Sequence, residues 1–371
     1  MTRRLLAAAT LTALVLAACG SPAPELDREP HTVAAPLQAV DASGMRLPTQ
    51  FEGRTLVDPG WTTTPQHAAG IHLGAGARDG HVEISAVDAQ GTVLWAAQRP
   101  LDAAGFAVTT EADGRALAVL EDRAEPDAPT TVTAYDLATG TRAWGPITVP
   151  GPHAGPGLVY GTGPRVALDP TTGTVAASDD DARVLAELDG TVLLVDDDAL
   201  VARRSGGTDL SRTPDAEHGW EAGALTVVGR PNADLVLLGT SPTTGALLDL
   251  EDGTVLADAR DAAVDPSTGT LVTLDGTSLR ATSPGGDELW SLSVTPTTTI
   301  AALGSVLLYL RDGGAVRVHN AITGEVAQGY ALDGQGTIIV PEQFTADGAD
   351  VLLDNDRRLL ATVEAMPTPD S

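Results

Sequence analysis

Histidines and carboxylates are the side chains of this sequence that could bind a metal or move protons. His67, His72 and His81 share one stretch of chain, and Glu83 follows them. Their spacing matches neither the two-histidine pattern of a zinc-binding helix nor the spacing of a zinc finger. We therefore expect loop and strand histidines that lie near solvent, and we predict no metal site.

Two runs of three aspartates, at 179–181 and 196–198, could attract calcium, but neither belongs to an Asp-x-Asp-x-Asp-Gly loop. We interpret them as solvated loop charge. The chain has 50 acidic residues, so some carboxylates will face each other by chance. A pair of catalytic carboxylates of the glycosidase type therefore cannot be assigned from the sequence.

Nucleophilic catalysis finds little support among the residue types present. All 22 basic residues are arginine, which excludes Schiff-base chemistry and the lysine of a phosphate-binding loop. The chain has one cysteine and no Gly-x-Ser-x-Gly motif. We predict no catalytic residues and no cofactor.

The single cysteine lies in a targeting signal. Met1-Thr-Arg-Arg4 is a short basic segment, and an apolar run of 12 residues, 5–16, follows it before Leu16-Ala-Ala-Cys19. The run is too short to span a hydrocarbon core of about 30 Å but has the length of a signal-peptide core. The motif resembles the lipobox of bacterial lipoproteins. That resemblance implies cleavage before Cys19, a lipidated Cys19 and an extracytoplasmic protein held at the cell membrane.

Four sections follow from these features. We predict a signal peptide at 1–18, a lipidated Cys19 with a flexible proline-rich tether at 19–43, a folded domain at 44–365 and a disordered tail at 366–371. The net charge of −28 opposes binding to nucleic acid and to anionic lipid headgroups. The membrane should therefore be contacted through the lipid only, and we expect a monomer.

The composition favours short strands over helices. The chain of 371 residues is 43% hydrophobic and holds 40 glycines and 25 prolines. Its apolar runs are four to six residues long and lie between Asp, Gly and Thr turn signals, which is typical of strands.

One unit repeats along the domain. It places Asp in a turn, Gly at the turn's end and Trp four residues after the Gly, where Asp accepts backbone N–H bonds and Gly supplies positive φ. The first of three better copies holds Asp88, Gly91 and Trp95, and the second holds Asp136, Thr139, Gly140 and Trp144. The third holds Gly286 and Trp290, with Ser283 at the position of the Asp. Degenerate copies surround Asp249 with Gly253 and Asn320 with Gly324, and weaker ones surround Asp196 and Asp354.

The repeat resembles the tryptophan-docking motif of the PQQ-enzyme-like β-propellers. The resemblance implies an all-β propeller of four-stranded blades in which each Trp wedges between neighbouring sheets. The copies are spaced by about 44 residues, the length of one blade. We therefore favour seven blades, in which the turns at Asp169 and Asp265 both join inner strands. The alternative is eight blades, if the turn at Asp169 is instead the outer turn of a blade. We expect the ring to close by a strand near residues 46–57, and Trp61 lies outside the repeat.

The resemblance concerns the scaffold and not the enzymes of the family. Its quinoprotein dehydrogenases use a vicinal cysteine pair and a catalytic Asp with calcium, and this chain has no second cysteine. The sequence therefore favours a non-catalytic, lipid-anchored binding or scaffold module for an unidentified protein, peptide or glycan. The alternative is a propeller hydrolase or lyase with its site in the central channel.

Overall fold

The computed structural model describes residues 26–125, 127–241 and 243–363. Cys19, the signal peptide and the tail at 366–371 lie outside these residues. Within them the protein is all-β, as predicted, and its sheets form the blades of a propeller. None of the helices among the described residues has the length and apolar character to cross a membrane.

The chain enters through three short strands and then forms blades 1 and 2. These elements are β1 (His31–Pro36), β2 (Met45–Arg46), the 3-10 turn η1 (Thr49–Phe51), β3 (Leu56–Val57), β4 (Gln66–Ala68), β5 (Ile71–Arg78), β6 (His81–Asp88), β7 (Thr92–Pro100), β8 (Phe106–Thr110), β9 (Ala116–Asp122), β10 (Thr131–Asp136) and β11 (Arg142–Thr148). Blade 1 comprises β4–β7 and blade 2 comprises β8–β11.

Blades 3, 4 and 5 follow as three more four-stranded sheets. Their elements are β12 (His153–Gly155), β13 (Val159–Tyr160), β14 (Val166–Leu168), β15 (Val175–Ser178), β16 (Arg183–Leu188), β17 (Thr191–Asp196), β18 (Ala199–Arg204), β19 (Asp209–Pro214), η2 (Asp215–Glu217), η3 (Ala222–Ala224), β20 (Thr226–Gly229), β21 (Leu235–Ser241), β22 (Thr244–Asp249) and β23 (Val255–Asp258).

Blades 6, 7 and 8 complete the ring. Their strands are β24 (Asp261–Val264), β25 (Leu271–Asp275), β26 (Ser278–Thr282), β27 (Glu288–Ser293), β28 (Thr298–Gly304), β29 (Leu307–Asp312), β30 (Ala315–Asn320), β31 (Thr337–Ile338), β32 (Val340–Gln343), β33 (Asp350–Asp354) and β34 (Arg357–Ala361). Blade 7 has only β28–β30, and blade 8 joins β32–β34 to β3.

The propeller therefore has eight blades, and the favoured count of seven was wrong. The turn at Asp169 joins the third and fourth strands of a separate blade, β14 and β15, as the alternative required. That blade has strands of only two to four residues. Because it is short, the average spacing of about 44 residues between repeat copies did not reveal an additional blade. The weak copies at Asp196 and Asp354 instead join the second and third strands of their blades.

Two parts of the N-terminal region belong to the fold. The strand β3 pairs with β34, so the ring closes within 46–57 as expected. The expected tether at 19–43 is corrected in part, since β1 pairs antiparallel with the outer strand of blade 1, β7. The unpaired edge of β7 explains this pairing, because an extended chain satisfies its exposed N–H and C=O groups.

The strands of each blade run antiparallel from the channel outward. First strands of neighbouring blades contact one another, for example β4 with β8 and β24 with β28. First-to-second and third-to-fourth turns consequently share one side of the disc, which we call the turn side. Second-to-third turns and the links between blades lie on the opposite side, which we call the link side.

Apolar side chains fill the seams between blades. Leu73, Ile84 and Trp95 of blade 1 form one buried cluster with Leu120 and Tyr135 of blade 2. Alternation along each strand supplies this arrangement, because residues i and i+2 lie on the same face of a sheet. Stability therefore comes from contacts between consecutive blades.

Candidate functional site

The turns of the repeat are held by their own polar residues. Oδ1 of Asp136 accepts hydrogen bonds from the backbone N–H and the hydroxyl of Thr139, both at 2.9 Å. Gly140 donates its N–H to the carbonyl of Asp136 and has φ of 68°. The carboxylate of Asp88 and the amide oxygen of Asn320 accept backbone N–H groups of their turns in the same way.

Each of the three tryptophans of the repeat reaches the next blade. The indole N–H donates, at 2.8 Å, to the carbonyl just after the turn Asp or Asn: Trp95 to Leu137, Trp144 to Pro170 and Trp290 to Ala321. A Cβ added at the turn glycine of the next blade would touch the same indole, at 3.1 Å for Gly140 and Trp95 and 2.9 Å for Gly324 and Trp290. The ring of each Trp thus lies over a glycine that leaves it room.

Two glycines named from the repeat receive no tryptophan. A Cβ on Gly286 would meet nothing within 4 Å, and one on Gly91 would meet Thr362 and Val57. The blade before Gly286 has no Trp in its outer strand, and the one before Gly91 ends in β3. The repeat residues therefore build turns and seams.

Carboxylates form a second kind of bond between blades, near the channel. Asp261 and Asp265 of blade 6 accept the backbone N–H groups of Ile300 and Val306 in blade 7, both at 2.7 Å. Three further carboxylates accept a backbone N–H from a neighbouring blade in the same way. Glu121 accepts that of His153 at 2.9 Å, Asp179 that of Val184 at 2.7 Å and Glu187 that of Leu158 at 3.2 Å. Ile300, His153 and Val184 lie in first strands, whose channel edge has no partner strand, whereas Val306 and Leu158 lie in turns just before second strands. In both places the carboxylate satisfies a backbone N–H, and Asp179 is therefore structural as well as charged.

A cluster of buried polar side chains spans blades 2, 3 and 4. Glu187 is fully buried and also accepts the N–H of Gly190 at 2.7 Å, while burial raises its pKa to about 8. Tyr160 is buried beside Glu121 and Glu187, and its hydroxyl has no partner among the described residues. Burial raises the pKa of Glu121 as well. Burial thus favours the protonated form of Glu187 at neutral pH, in which no uncompensated charge is buried.

The histidines of the first stretch lie at the seam where the ring closes. His67 and His72 face each other on β4 and β5 with ring centroids 4.7 Å apart, and Nε2 of His72 lies 2.7 Å from the carbonyl of Ala349 in blade 8. His72 is fully buried, which corrects the expectation of solvent exposure, and burial lowers its pKa to about 3. Among the described residues no three His, Cys, Asp or Glu side chains could together hold a metal ion.

A cleft of about 530 Å³ opens at the channel on the link side. It is lined by the first strands of blades 5, 6 and 7 and the end of β21: Ala224, Thr226, Val228, Gly239, Thr240, Ser241, Arg260, Asp261 and Thr299. Burial raises the pKa of Asp261, and Arg260 donates to the carbonyls of Gly276 and Thr298. Three of the four hydroxyls in the lining already form hydrogen bonds within blade 5: Thr226 donates to the carbonyl of Gly239, Thr240 donates to that of Thr244, and Ser241 bonds to Thr243. The oxygens of these hydroxyls can still accept hydrogen bonds, and Val228 is exposed.

Sequence reasoning found none of the cleft residues. Of the carboxylates between blades it named Asp179 and Asp265, but as loop charge and as a turn residue, and it missed the bonds they make to the next blade. No local motif marks them, since Asp261 and Thr226 are single polar residues at the starts of strands. A polar residue begins the first strand in six of the eight blades, with Phe106 and Val340 as the exceptions, and this was the signal available in the sequence.

Comparisons with known proteins give neighbours of similar architecture. No protein-family model matches the sequence, and no curated protein is similar to it. BamB from Moraxella catarrhalis is 14% identical with a TM-score of 0.46, over 90% of this chain and 100% of that chain. A chain of a mitotic checkpoint complex is 12% identical with a TM-score of 0.43, over 96% and 99%. At these scores the likeness carries no information about function.

Proposed function

We propose that the protein is a non-catalytic binding or scaffold module that holds a protein, peptide or glycan partner in the cleft on the link side. The observation that carries the proposal is the make-up of this cleft. Three successive blades line it, its hydroxyl oxygens can accept hydrogen bonds from a polar ligand, and Val228 adds apolar contact.

The carboxylates near the channel support binding over catalysis. A hydrolase or lyase needs a general acid or base, such as a carboxyl group, that reaches its substrate and exchanges protons with it. Among the described residues that line the cleft, Asp261 is the only one with a carboxylate, and it already accepts the N–H of Ile300 at 2.7 Å. Its role in the blade 6–7 seam accounts for its position without a reaction.

We further propose that the module is attached to the outer face of the cell membrane through lipidated Cys19. The lipobox Leu16-Ala-Ala-Cys19 after a basic segment and an apolar run supports this proposal. Cys19→Ser should abolish labelling with a radioactive fatty acid and leave the signal peptide uncleaved. Normal labelling of the variant would reject the lipid anchor and leave the binding function untouched.

The binding function is tested by blocking the cleft. Val228 is 59% exposed, so Val228→Arg should fill the cleft without disturbing the core. Val175→Arg is the matched control, because Val175 is also a strand valine with 59% exposure but lies in the outer strand of blade 3. Crosslinking and affinity capture from gently solubilised membranes should recover a partner with the wild type and the control and lose it with Val228→Arg.

Two results would contradict the proposal. Capture that is equal for both arginine variants would place the binding surface elsewhere. Turnover of a glycoside or ester substrate that Asp261→Asn abolishes would establish the channel enzyme instead.

A further inference from the structure

The chain is fixed to the disc before β1 begins. Asp27 and Gln98 exchange two hydrogen bonds, at 2.7 and 3.0 Å, near the link-side end of β7. The guanidinium of Arg28 donates to the carboxylate of Asp122 and, at 2.8 Å, to the carbonyl of Arg123, both in blade 2. From there β1 runs along β7 in antiparallel pairing. The chain therefore joins the disc on the link side, at the outer edge where blades 1 and 2 meet.

Residues 27–36, which we call the strap, also cover a buried charge. Arg99 is 1% exposed, and its guanidinium donates to the carbonyl of Arg28 in the strap. The carboxylate of Glu29 accepts the hydroxyl of Tyr135 in blade 2 at 3.1 Å. Hydrogen bonds to charged groups contribute more to stability than neutral ones do, so these bonds hold the strap in place.

The fixed strap shortens the connection between Cys19 and the disc. Eight residues lead from Cys19 to Asp27, and covalent geometry limits their reach to about 29 Å. A tether that ran freely to residue 43 would reach about 86 Å. A lipid on Cys19 would therefore hold the edge of blades 1 and 2 close to the bilayer surface.

Charge determines how the rest of the disc is turned. The aspartate runs at 179–181 and 196–198 both lie on the link side, one between blades 3 and 4 and the other in the second-to-third turn of blade 4. Two of the three side chains in each run are exposed. Anionic headgroups repel a surface of this charge, so the link side does not lie flat on an anionic bilayer.

We propose that the protein lies with the edge of blades 1 and 2 next to the surface of an anionic membrane and with the cleft of blades 5 to 7 turned away from it. A ring of eight blades places blades 5 and 6 opposite blades 1 and 2. The partner of the cleft then approaches from the side away from the bilayer, which favours a partner that is not embedded in the membrane. This inference rests on the proposed lipid anchor and adds a direction of approach to the proposed binding function.

The test uses the chain that cleavage before Cys19 leaves, which contains every described residue. Its Cys19 thiol is joined to a maleimide-bearing phospholipid in vesicles of phosphatidylethanolamine and phosphatidylglycerol that also carry a headgroup-labelled acceptor lipid. A fluorescent non-canonical residue replaces Leu101 in one variant and Leu256 in the other. Leu101 is 61% exposed in the link between blades 1 and 2, and Leu256 is 50% exposed on the outer strand of blade 5.

Energy transfer to the acceptor lipid should be at least about twofold more efficient from position 101 than from position 256, because only position 101 lies beside the short connection. An insertion of about 20 Gly and Ser residues between residues 25 and 26 should reduce this difference, since a flexible chain of that length lets the disc turn. The same insertion after Val363 is the matched control and should leave the difference unchanged. Equal transfer from the two positions, or a difference that persists after the insertion before the strap, would overturn the proposal.

The labelling of Cys19 separates this inference from the proposed function. If cells attach a fatty acid to Cys19 but the two positions give equal transfer, the lipid anchor stands and the orientation is wrong. If the two positions differ but cells attach no fatty acid, the lipid anchor is rejected, and the membrane contact with it. Partner capture with Val228→Arg tests the cleft independently of both results.

Discussion

The indole N–H of Trp95 in blade 1 donates to the carbonyl of Leu137 in blade 2 across 2.8 Å. The same two blades share a buried apolar cluster that contains both residues. A single side chain therefore supplies both the apolar packing and the directional bond of this seam, because an indole has a large apolar body and one polar edge.

Trp95→Ala should destabilise the protein by about 3–5 kcal/mol, as expected for the loss of a large buried side chain. Trp144→Ala should cost less, since Trp144 is only half-buried although it makes the matching bond to Pro170. Chemical denaturation measures both changes, provided that the slope of the unfolding free energy against denaturant concentration is the same for the wild type and the variants. Equal losses at the two positions would show that burial does not set the strength of these seams.

Trp61 should be as sensitive as Trp95, which reverses the ranking that its place outside the repeat would give. It is 1% exposed, its indole N–H donates to the hydroxyl of Ser85 at 2.9 Å, and its ring lies against Gly74. The loss of stability from Trp61→Ala should therefore exceed the loss from Trp144→Ala by about 1–2 kcal/mol. A smaller loss than that of Trp144→Ala in the same denaturation series would contradict this ranking.

Gly140→Ala and Gly286→Ala form a matched pair for the docking contact. Both glycines have positive φ, 68° and 87°, so both substitutions carry a similar backbone strain. Only at Gly140 would the new Cβ meet neighbours, Pro30 at 2.9 Å and Trp95 at 3.1 Å. Gly140→Ala should therefore destabilise the protein by about 1–3 kcal/mol more than Gly286→Ala does, and it should lower the melting temperature further. Identical shifts would mean that the Trp moves aside freely.

Glu187 should contribute a loss of stability as pH rises from about 4.5 to about 8. Burial raises its pKa from 4.5 to about 8, so in this window the folded protein binds a proton that the unfolded chain has lost. The contribution of Glu187 to the free energy of unfolding then decreases with pH by up to 2.303RT per pH unit and levels off above the folded-state pKa. Glu187→Gln should reduce that slope when denaturation is followed across this pH range. An unchanged slope would mean that Glu187 is ionised in the fold.

The turns of the repeat could be predicted from sequence because their chemistry is local. Asp136, Thr139 and Gly140 are close in the chain and bond to one another in the structure. The number of blades could not be predicted in the same way. The turns at Asp169 and Asp265 differ in sequence only by Thr171 in place of Ser267 and have the same Gly-to-Asp backbone bond, but one joins outer strands and the other inner strands.

The contacts near the channel depend on how distant segments meet. Asp261 and Ile300 approach only when blades 6 and 7 pack, and Glu121 and His153 only when blades 2 and 3 do. The pairing of β1 with β7 was missed for a related reason. A proline-rich segment without apolar alternation resembles a linker, whereas the partner that orders it lies about 60 residues further along the chain.

The closure of the ring sets an order of events in folding. The hydroxyl of Thr362 donates to the carbonyl of Thr55 across a sequence separation of 307 residues, beside the pairing of β3 with β34. Blades 1 to 7 can each form from neighbouring hairpins as soon as their own residues are available, but blade 8 needs strands from both regions of the chain. Contacts of such long range form slowly, because a large loop must close before they contribute. An open arc of blades, with uncovered seams at its first and last members, is therefore the species most exposed to aggregation and proteolysis until β34 emerges.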